Sequence, residues 1–299
     1  MKYLILISIS ILVFTSCEKE ISIDQKEFSP KIVLNSIINS ENDTIIVELS
    51  ESRDMLYDKF DFPPIKDATI KLYDNNIFAG TLTELFDGYY ILPYSVIPNH
   101  TYRLEVSNTN LDNVTASTTV PTPAVINDFT VTLNSNLKAN INVVFQDPAG
   151  ESNFYGIEIS RLDSTLDTTG YYGGYSISDY ACSNSTAIEY PAANGIDGAN
   201  CTNLFLFSDK LFAGSTFTFN CYNENTFWNT PPEELGLFTK IWVNLKTINE
   251  DYYQYQLSTN LALENYGNPF AEPVRIYSNV EGGFGIFGSY SIYKDSISF

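Results

Sequence analysis

The sequence predicts a mainly β protein, and three observations carry that expectation. Of its 299 residues 21 are Tyr and 20 are Phe, and aromatic residues make up 14% of the chain. Together with Thr, Ile and Val these are the side chains that pack best on a pleated, half-buried surface. Short runs alternate apolar and polar residues, as in Ala68-Thr69-Ile70-Lys71-Leu72-Tyr73, the period of a strand with one buried face. Between the runs stand Asn, Asp, Gly and Pro, which supply turn conformations. The expected architecture is two β-sandwich modules of immunoglobulin or transthyretin type in tandem, the second with a long loop insertion and one helix.

The chain opens on a leader. Lys2 gives it a positive start, residues 3–14 are predominantly apolar, and Thr15 and Ser16 are small. The apolar run is short of the ~20 residues of a membrane helix and fits an export signal. Phe14-Thr15-Ser16-Cys17 resembles the bacterial lipobox, whose cysteine thiol receives diacylglycerol and becomes the mature N-terminus. Residues 1–16 are therefore expected to be a lipoprotein signal peptide, Cys17 the lipidation site and residues 17–29 a tether. Each buried methylene contributes ~0.8 kcal/mol, so two or three acyl chains would hold the protein on a membrane. Glu18-Lys19-Glu20 is similar to the acidic sorting signal of surface-exposed outer-membrane lipoproteins, though interrupted by its lysine, or else is a solvated charged leader.

Residues 30–121 form the expected N-terminal β-sandwich, with strands over 31–38, 44–50, 68–73, 78–83, 88–92, 101–106 and 114–120. Pro121-Thr122-Pro123 is a stiff connector and the expected domain boundary. Residues 124–299 form the expected C-terminal β-rich domain, with strands over 129–133, 139–145, 154–159, 215–222 and 240–246. Between 163 and 210 the alternation dissolves into Gly, Tyr, Ser and Asn, which reads as the loop insertion. Asn249 or Glu250 caps an expected helix in which Tyr252, Tyr255, Leu257 and Leu261 fall near helical spacing. A closing hairpin is expected, with arms at 274–278 and 284–290 around Glu281-Gly282-Gly283.

Acidic residues outnumber basic ones 36 to 16, for a net charge of −20. Such a surface repels nucleic acid and anionic lipid, so contact with the bilayer is expected through the acyl anchor only. Besides Cys17 the chain has Cys182, Cys201 and Cys221. In an oxidising compartment pairing is expected, and Cys182 and Cys201, which flank a Gly/Ala/Asn-rich segment, are the expected pair. Cys221 either stays a buried thiol or replaces one of them. The cysteine spacing matches no zinc pattern, and His100 is the only histidine; no metal site, catalytic triad or cofactor is expected. His100 reads as a turn residue.

Three stretches invite a functional reading. Tyr171, Tyr172 and Tyr175 on a Gly-rich loop, with Phe227 and Trp228, have the composition of an adaptable binding surface, or else cover a sheet edge. Residues 147–153, Asp-Pro-Ala-Gly-Glu-Ser-Asn, offer oxygen ligands for calcium but also suit a polar turn. The glycines of residues 281–288 suit a tight turn and close strand packing rather than a phosphate loop, which wants a following helix.

Several segments resemble a known family. Lys31-Ile32-Val33-Leu34-Asn35, residues 65–73, Gly88-Tyr89-Tyr90, Tyr102-Arg103-Leu104-Glu105-Val106 and residues 116–121 all fit it, and residues 268–288 fit it most sharply. The chain is similar there to the Bacteroidota outer-membrane lipoproteins called domain of unknown function 4249. The resemblance implies a two-part β protein and, as partner, a TonB-dependent outer-membrane receptor, and it carries no catalytic residue. The expected function is a non-catalytic, lipid-anchored binding accessory of such a receptor. The alternatives are a surface hydrolase using paired carboxylates and a structural or adhesive coat protein.

Overall fold

The computed structural model describes residues 28–54, 62–133, 139–167, 170–176, 180–182, 190–192, 204–223, 237–268 and 270–298. Residues 31–299 make up one compact unit; of the other, 1–30, residues 28–30 are described.

The described strands of the N-terminal half are β1 (Ile32–Asn39), β2 (Thr44–Glu51), β3 (Thr69–Asp74), β4 (Ile77–Thr81), β5 (Thr83–Phe86), β6 (Tyr89–Pro93), β7 (Thr101–Ser107) and β8 (Val114–Thr119). There follow β9 (Ile126–Leu133), β10 (Ala139–Gln146), β11 (Phe154–Asp167), β12 (Gly170–Ser176), β13 (Tyr180–Cys182), β14 (Tyr190–Ala192) and β15 (Leu204–Ser208). Last come β16 (Thr216–Asn223), β17 (Leu237–Ile248), helix α1 (Glu250–Asn265) and β18 (Phe284–Ser298). The mainly β class expected from composition and alternation is the observed one.

The strands pair into three sheets. The largest runs β14-β15-β11-β17-β18-β1-β2-β6-β5, with β12 also on β11, and the smaller two run β13-β16-β10-β9 and β4-β3-β7-β8. Period-2 burial orients each layer. Ile70, Leu72, Tyr102, Leu104 and Val106 of the β4-β3-β7-β8 sheet meet Leu34, Val47, Leu49, Tyr90 and Phe287 of the large sheet in one core. Ile141, Val143, Phe145 and Phe219 meet Tyr155, Ile157, Phe207, Val243 and Leu245 in a second. Both small sheets thus cover one face of the large one, and the arrangement is a pair of sandwiches sharing a back layer.

Pro121-Thr122-Pro123 stands between β8 and β9, with a core on either side. The chain's last strand crosses that line. β18 pairs in parallel with β1 and antiparallel with β17, and its Phe287 lies in the first core. The expected closing hairpin is corrected here: residues 274–278 carry no strand, and the second arm extends to Ser298. Gly282 and Gly283 lie in a turn whose Glu281 bridges to Thr115, and neither position leaves ordinary room for a β-carbon.

α1 covers the opposite face of the large sheet. Asn249 caps it, its side chain accepting from the Tyr252 amide at 3.3 Å, and Glu250 and Asp251 sit favourably in the first turn. Tyr252 and Tyr253 pack with Phe154, Leu204, Leu206, Ile248 and Tyr290. The buried face also takes in Gln256 and Asn260, whereas Leu261, expected on it, is 41% exposed.

The loop expected over 163–210 is also corrected. β11 continues to Asp167, β12 returns beside it, and β15 is buried along its whole length. Leu204 and Leu206 face α1 while Phe205 and Phe207 face the second core; a strand buried on both faces shows no alternation. Tyr171, Tyr172 and Tyr175 accordingly lie on β12, a strand paired with Leu166, Thr165 and Leu162, and not on a loop.

Candidate functional site

The part of the α1-bearing face of the large sheet that the helix leaves uncovered carries a row of side chains drawn from five strands. In register they are Ile286 of β18, Asn35 of β1, Glu48 of β2, Tyr89 of β6 and Phe86 of β5. Their chain neighbours Leu34, Val47, Leu49 and Tyr90 are buried in the first core, so strand alternation turns the row outward. Ser36, Ile37, Asn39, Ile46 and Tyr290 widen it into a cleft of about 430 Å³.

Hydrogen bonding fixes most of the cleft. Asn39 accepts from the Glu41 and Asn42 amides through Oδ1, at 2.9 and 3.1 Å, and donates from Nδ2 to the Tyr290 hydroxyl at 3.2 Å. Ser36 donates to the Ile46 carbonyl at 2.7 Å. The Tyr89 hydroxyl is bonded to Glu48, which with burial holds that phenol above its ordinary range. The phenol of Tyr255, on α1, is raised too, by burial first and by the nearby Glu48 carboxylate last. The ring of Tyr89 stacks on Phe86 at 4.9 Å. One polar atom is left over: Asn35 Oδ1 is buried and has no hydrogen-bond partner. Behind Tyr290, Lys246 lies over its ring at 5.0 Å and is held by Glu158 at 3.3 Å.

A second surface surrounds the C-terminal end of α1. Leu261, Leu263, Tyr266, Phe270 and Ile276 all stand in solvent, Tyr266 at 76% and Phe270 at 94% exposure. Leu257, Leu261, Ile276 and Tyr277 line a groove between the helix and the segment after it. The groove's floor is fixed, since the Tyr277 amide donates to Ser258 Oγ at 2.9 Å and its hydroxyl to Asp251.

A third hollow, of about 460 Å³, lies at the junction of the two halves and holds Glu151 and Glu250 along with Asn99, Thr122 and Asn153.

The residues singled out from sequence fall variously. Cys17, Cys201, Phe227 and Trp228 lie outside the described residues. The register partner of Cys182 is Cys221. Asp147 is buried, and its carboxylate accepts from the Tyr155 hydroxyl at 2.5 Å and the Gly214 amide at 2.7 Å. It therefore ties the turn to the core instead of facing outward with Glu151. His100 enters β7 from a turn, with Nδ1 2.7 Å from Asp74 Oδ1, and Asp74 also accepts from the Tyr94 hydroxyl at 2.8 Å. Together they clamp β3 to the chain entering β7. Among the described residues no group of three or more His, Cys, Asp and Glu is placed to hold a metal ion. No described helix is long and apolar enough to cross a membrane.

Glu48 and Asn35 carried no motif. Their one signal was position, each standing between two buried residues, as Val47-Glu48-Leu49 and Leu34-Asn35-Ser36.

These features define a mainly β protein with a cleft on its large sheet and exposed apolar side chains about the end of its helix. Residues 18–296 match the family profile described as "Domain of unknown function (DUF4249)", and the chain belongs to that family. No curated protein matches it. Among solved structures it is similar to the crystal structure of the FN1-FN3 domains of chicken CNTN1, at 11% identity and a TM-score of 0.28 over 90% of this chain and 66% of that one. It is also similar to one described as a membrane anchored protein from Corynebacterium diphtheriae, at 12% identity and a TM-score of 0.21 over 84% of this chain and 57% of that one. The chain thus spans less than two thirds of either structure, and likeness of this degree speaks to neither function nor partner.

Proposed function

We propose that this protein is a non-catalytic, lipid-anchored binding accessory of an outer-membrane receptor of the TonB-dependent class. The observation that carries the reading is the apolar surface at the end of α1. Five large hydrophobic residues, Leu261, Leu263, Tyr266, Phe270 and Ile276, are exposed on and just after the last turns of α1, and Leu261 and Ile276 line one groove; apolar exposure gathered at one end of an element is a mark of protein–protein contact. The lipobox-like Phe14-Thr15-Ser16-Cys17 supports attachment at an outer membrane, and the net charge of −20 supports a chain kept off anionic lipid. Affinity capture of the lipidated protein from detergent extracts tests the reading. Co-recovery of a β-barrel receptor supports it; recovery of none, under conditions that preserve such complexes, contradicts it.

A second reading has one observation in its favour. Glu151 and Glu250 both line the junction hollow, and a carboxylate-dependent hydrolase works with a pair of carboxyl groups. Glycoside hydrolysis by the purified chain that is abolished in both Glu151→Gln and Glu250→Gln would establish it in place of the first.

A further inference from the structure

We infer that the cleft centred on Glu48 is a ligand site for organic cations, taking an ammonium or guanidinium group carried on an apolar stem. The inference rests on the reading of this chain as a binding protein. It starts from which hydrogen-bonding groups remain unspent. Asn39 and Ser36 are committed to the protein's own groups. Asn35 Oδ1 is a buried acceptor without a donor, and a buried acceptor left bare is destabilising until a donor reaches it. Beside it in strand register stands Glu48, a carboxylate that takes one donor from Tyr89 and has acceptor capacity for more. The site asks for donors.

Charge points the same way. No Lys, Arg or His is among the described residues lining the cleft, and the whole chain carries −20; the resulting field repels anions and concentrates cations. Lys246, behind Tyr290, is already matched by Glu158. Shape completes the argument. The stacked rings of Tyr89 and Phe86 border one end and Ile46 and Ile286 supply apolar surface, so a methylene stem can lie on the sheet while its charged end reaches Glu48. Aromatic faces attract a cation placed beside them. Ammonium and guanidinium groups occur on free amines and on Lys or Arg side chains of peptides, and the probes separate these sources.

Titration calorimetry of the full-length lipidated chain in detergent, with 1,5-diaminopentane, agmatine, the tripeptides Ala-Lys-Ala and Ala-Arg-Ala, and a neutral trisaccharide, tests the inference. Expected is saturable binding of the cations with Kd below about 1 mM, tighter for whichever source is native, and none of the trisaccharide. Glu48→Gln should weaken binding at least about tenfold, Asn35→Leu should weaken it severalfold, and the exposed Asp112→Asn should leave it unchanged. Circular dichroism establishes that each variant is folded, and Asn35→Leu decides the matter if Glu48→Gln is not. Absence of cation binding, equal binding of the trisaccharide, or full affinity in both cleft variants overturns the inference. Receptor capture reads separately: a receptor recovered by a chain that binds no cation removes this site and leaves the accessory role intact.

Discussion

Gly285 and Leu34 are partners in the parallel pairing of β18 with β1, and their backbones approach so closely that a β-carbon on Gly285 would run into the Leu34 carbonyl oxygen. The contact is where the end of the chain is sealed to its beginning. It explains why a glycine-rich stretch stands at the start of the longest strand, with Gly285 at φ +104°.

Gly285→Ala is expected to cost about 3 kcal/mol or more, because both the φ and the contact are forbidden to a side chain. Gly150 also has a positive φ, +95°, yet nothing lies within 4 Å of its would-be β-carbon, so Gly150→Ala should cost only about 1–2 kcal/mol. Urea unfolding of the two variants checks the ordering, and equal losses would contradict it.

Asp147→Ala should be among the more damaging polar substitutions. It strips the acceptor from the buried Tyr155 hydroxyl and from the Gly214 amide, each worth about 1.5–3 kcal/mol when the acceptor is charged. A thermal melt that leaves the transition within a degree of wild type would refute that role.

Alkaline pH should loosen the fold through its tyrosines. Burial, then hydrogen bonding to Asp74, pushes Tyr94 up to about 12; burial, then Asp251, does the same to Tyr277; Tyr155 is raised further by burial and Asp147. A folded-state pKa above the unfolded value means that the native state holds more protons, so the stabilisation is complete below pH ~10 and is lost as pH rises toward 12. Denaturant midpoints should therefore be flat on this account up to about pH 10 and fall beyond it, with a late-titrating class of tyrosines in absorbance at 295 nm. Midpoints that rise above pH ~10 would have the wrong sign.

Cysteine pairing can be read directly. Cys182 and Cys221 are register partners in the β13–β16 ladder, and opposed residues of an antiparallel pair have Cα atoms about 4.5–5.5 Å apart, within the span of a disulfide. Peptide mapping of protein isolated from the exporting cell without reductant should yield a Cys182–Cys221 link. A Cys182–Cys201 link would contradict it and restore the pairing suggested by the Gly/Ala/Asn-rich spacing.

Much of this fold was legible in the sequence. Strands with one buried face announce themselves by alternation, and β1, β2, β3, β7 and β10 fall within a residue or two of expectation. What escaped had lost that signal for physical reasons. β15 is apolar on both faces, and β12 is held by backbone pairing to β11, which Gly and Tyr satisfy without any period. The parallel pairing of β18 with β1 joins the chain's two ends, and no local pattern encodes a partner some 250 positions away. α1 was visible from its cap, but its face was misjudged, since Gln256 and Asn260 are buried where Leu261 was expected. The cleft was illegible because strand register, not spacing along the chain, brings Asn35, Glu48 and Tyr89 into one row.

The proposed accessory role requires that the exposed apolar end of α1 meet an integral outer-membrane partner. A photo-crosslinking amino acid in place of Phe270, which is 94% exposed, tests it in living cells of the source organism. Expected is an ultraviolet-dependent adduct with a β-barrel protein of the outer membrane, lost in the Leu261→Glu/Ile276→Glu background. Adducts only with lipid or with a second copy of the chain, at wild-type levels of protein, would contradict it.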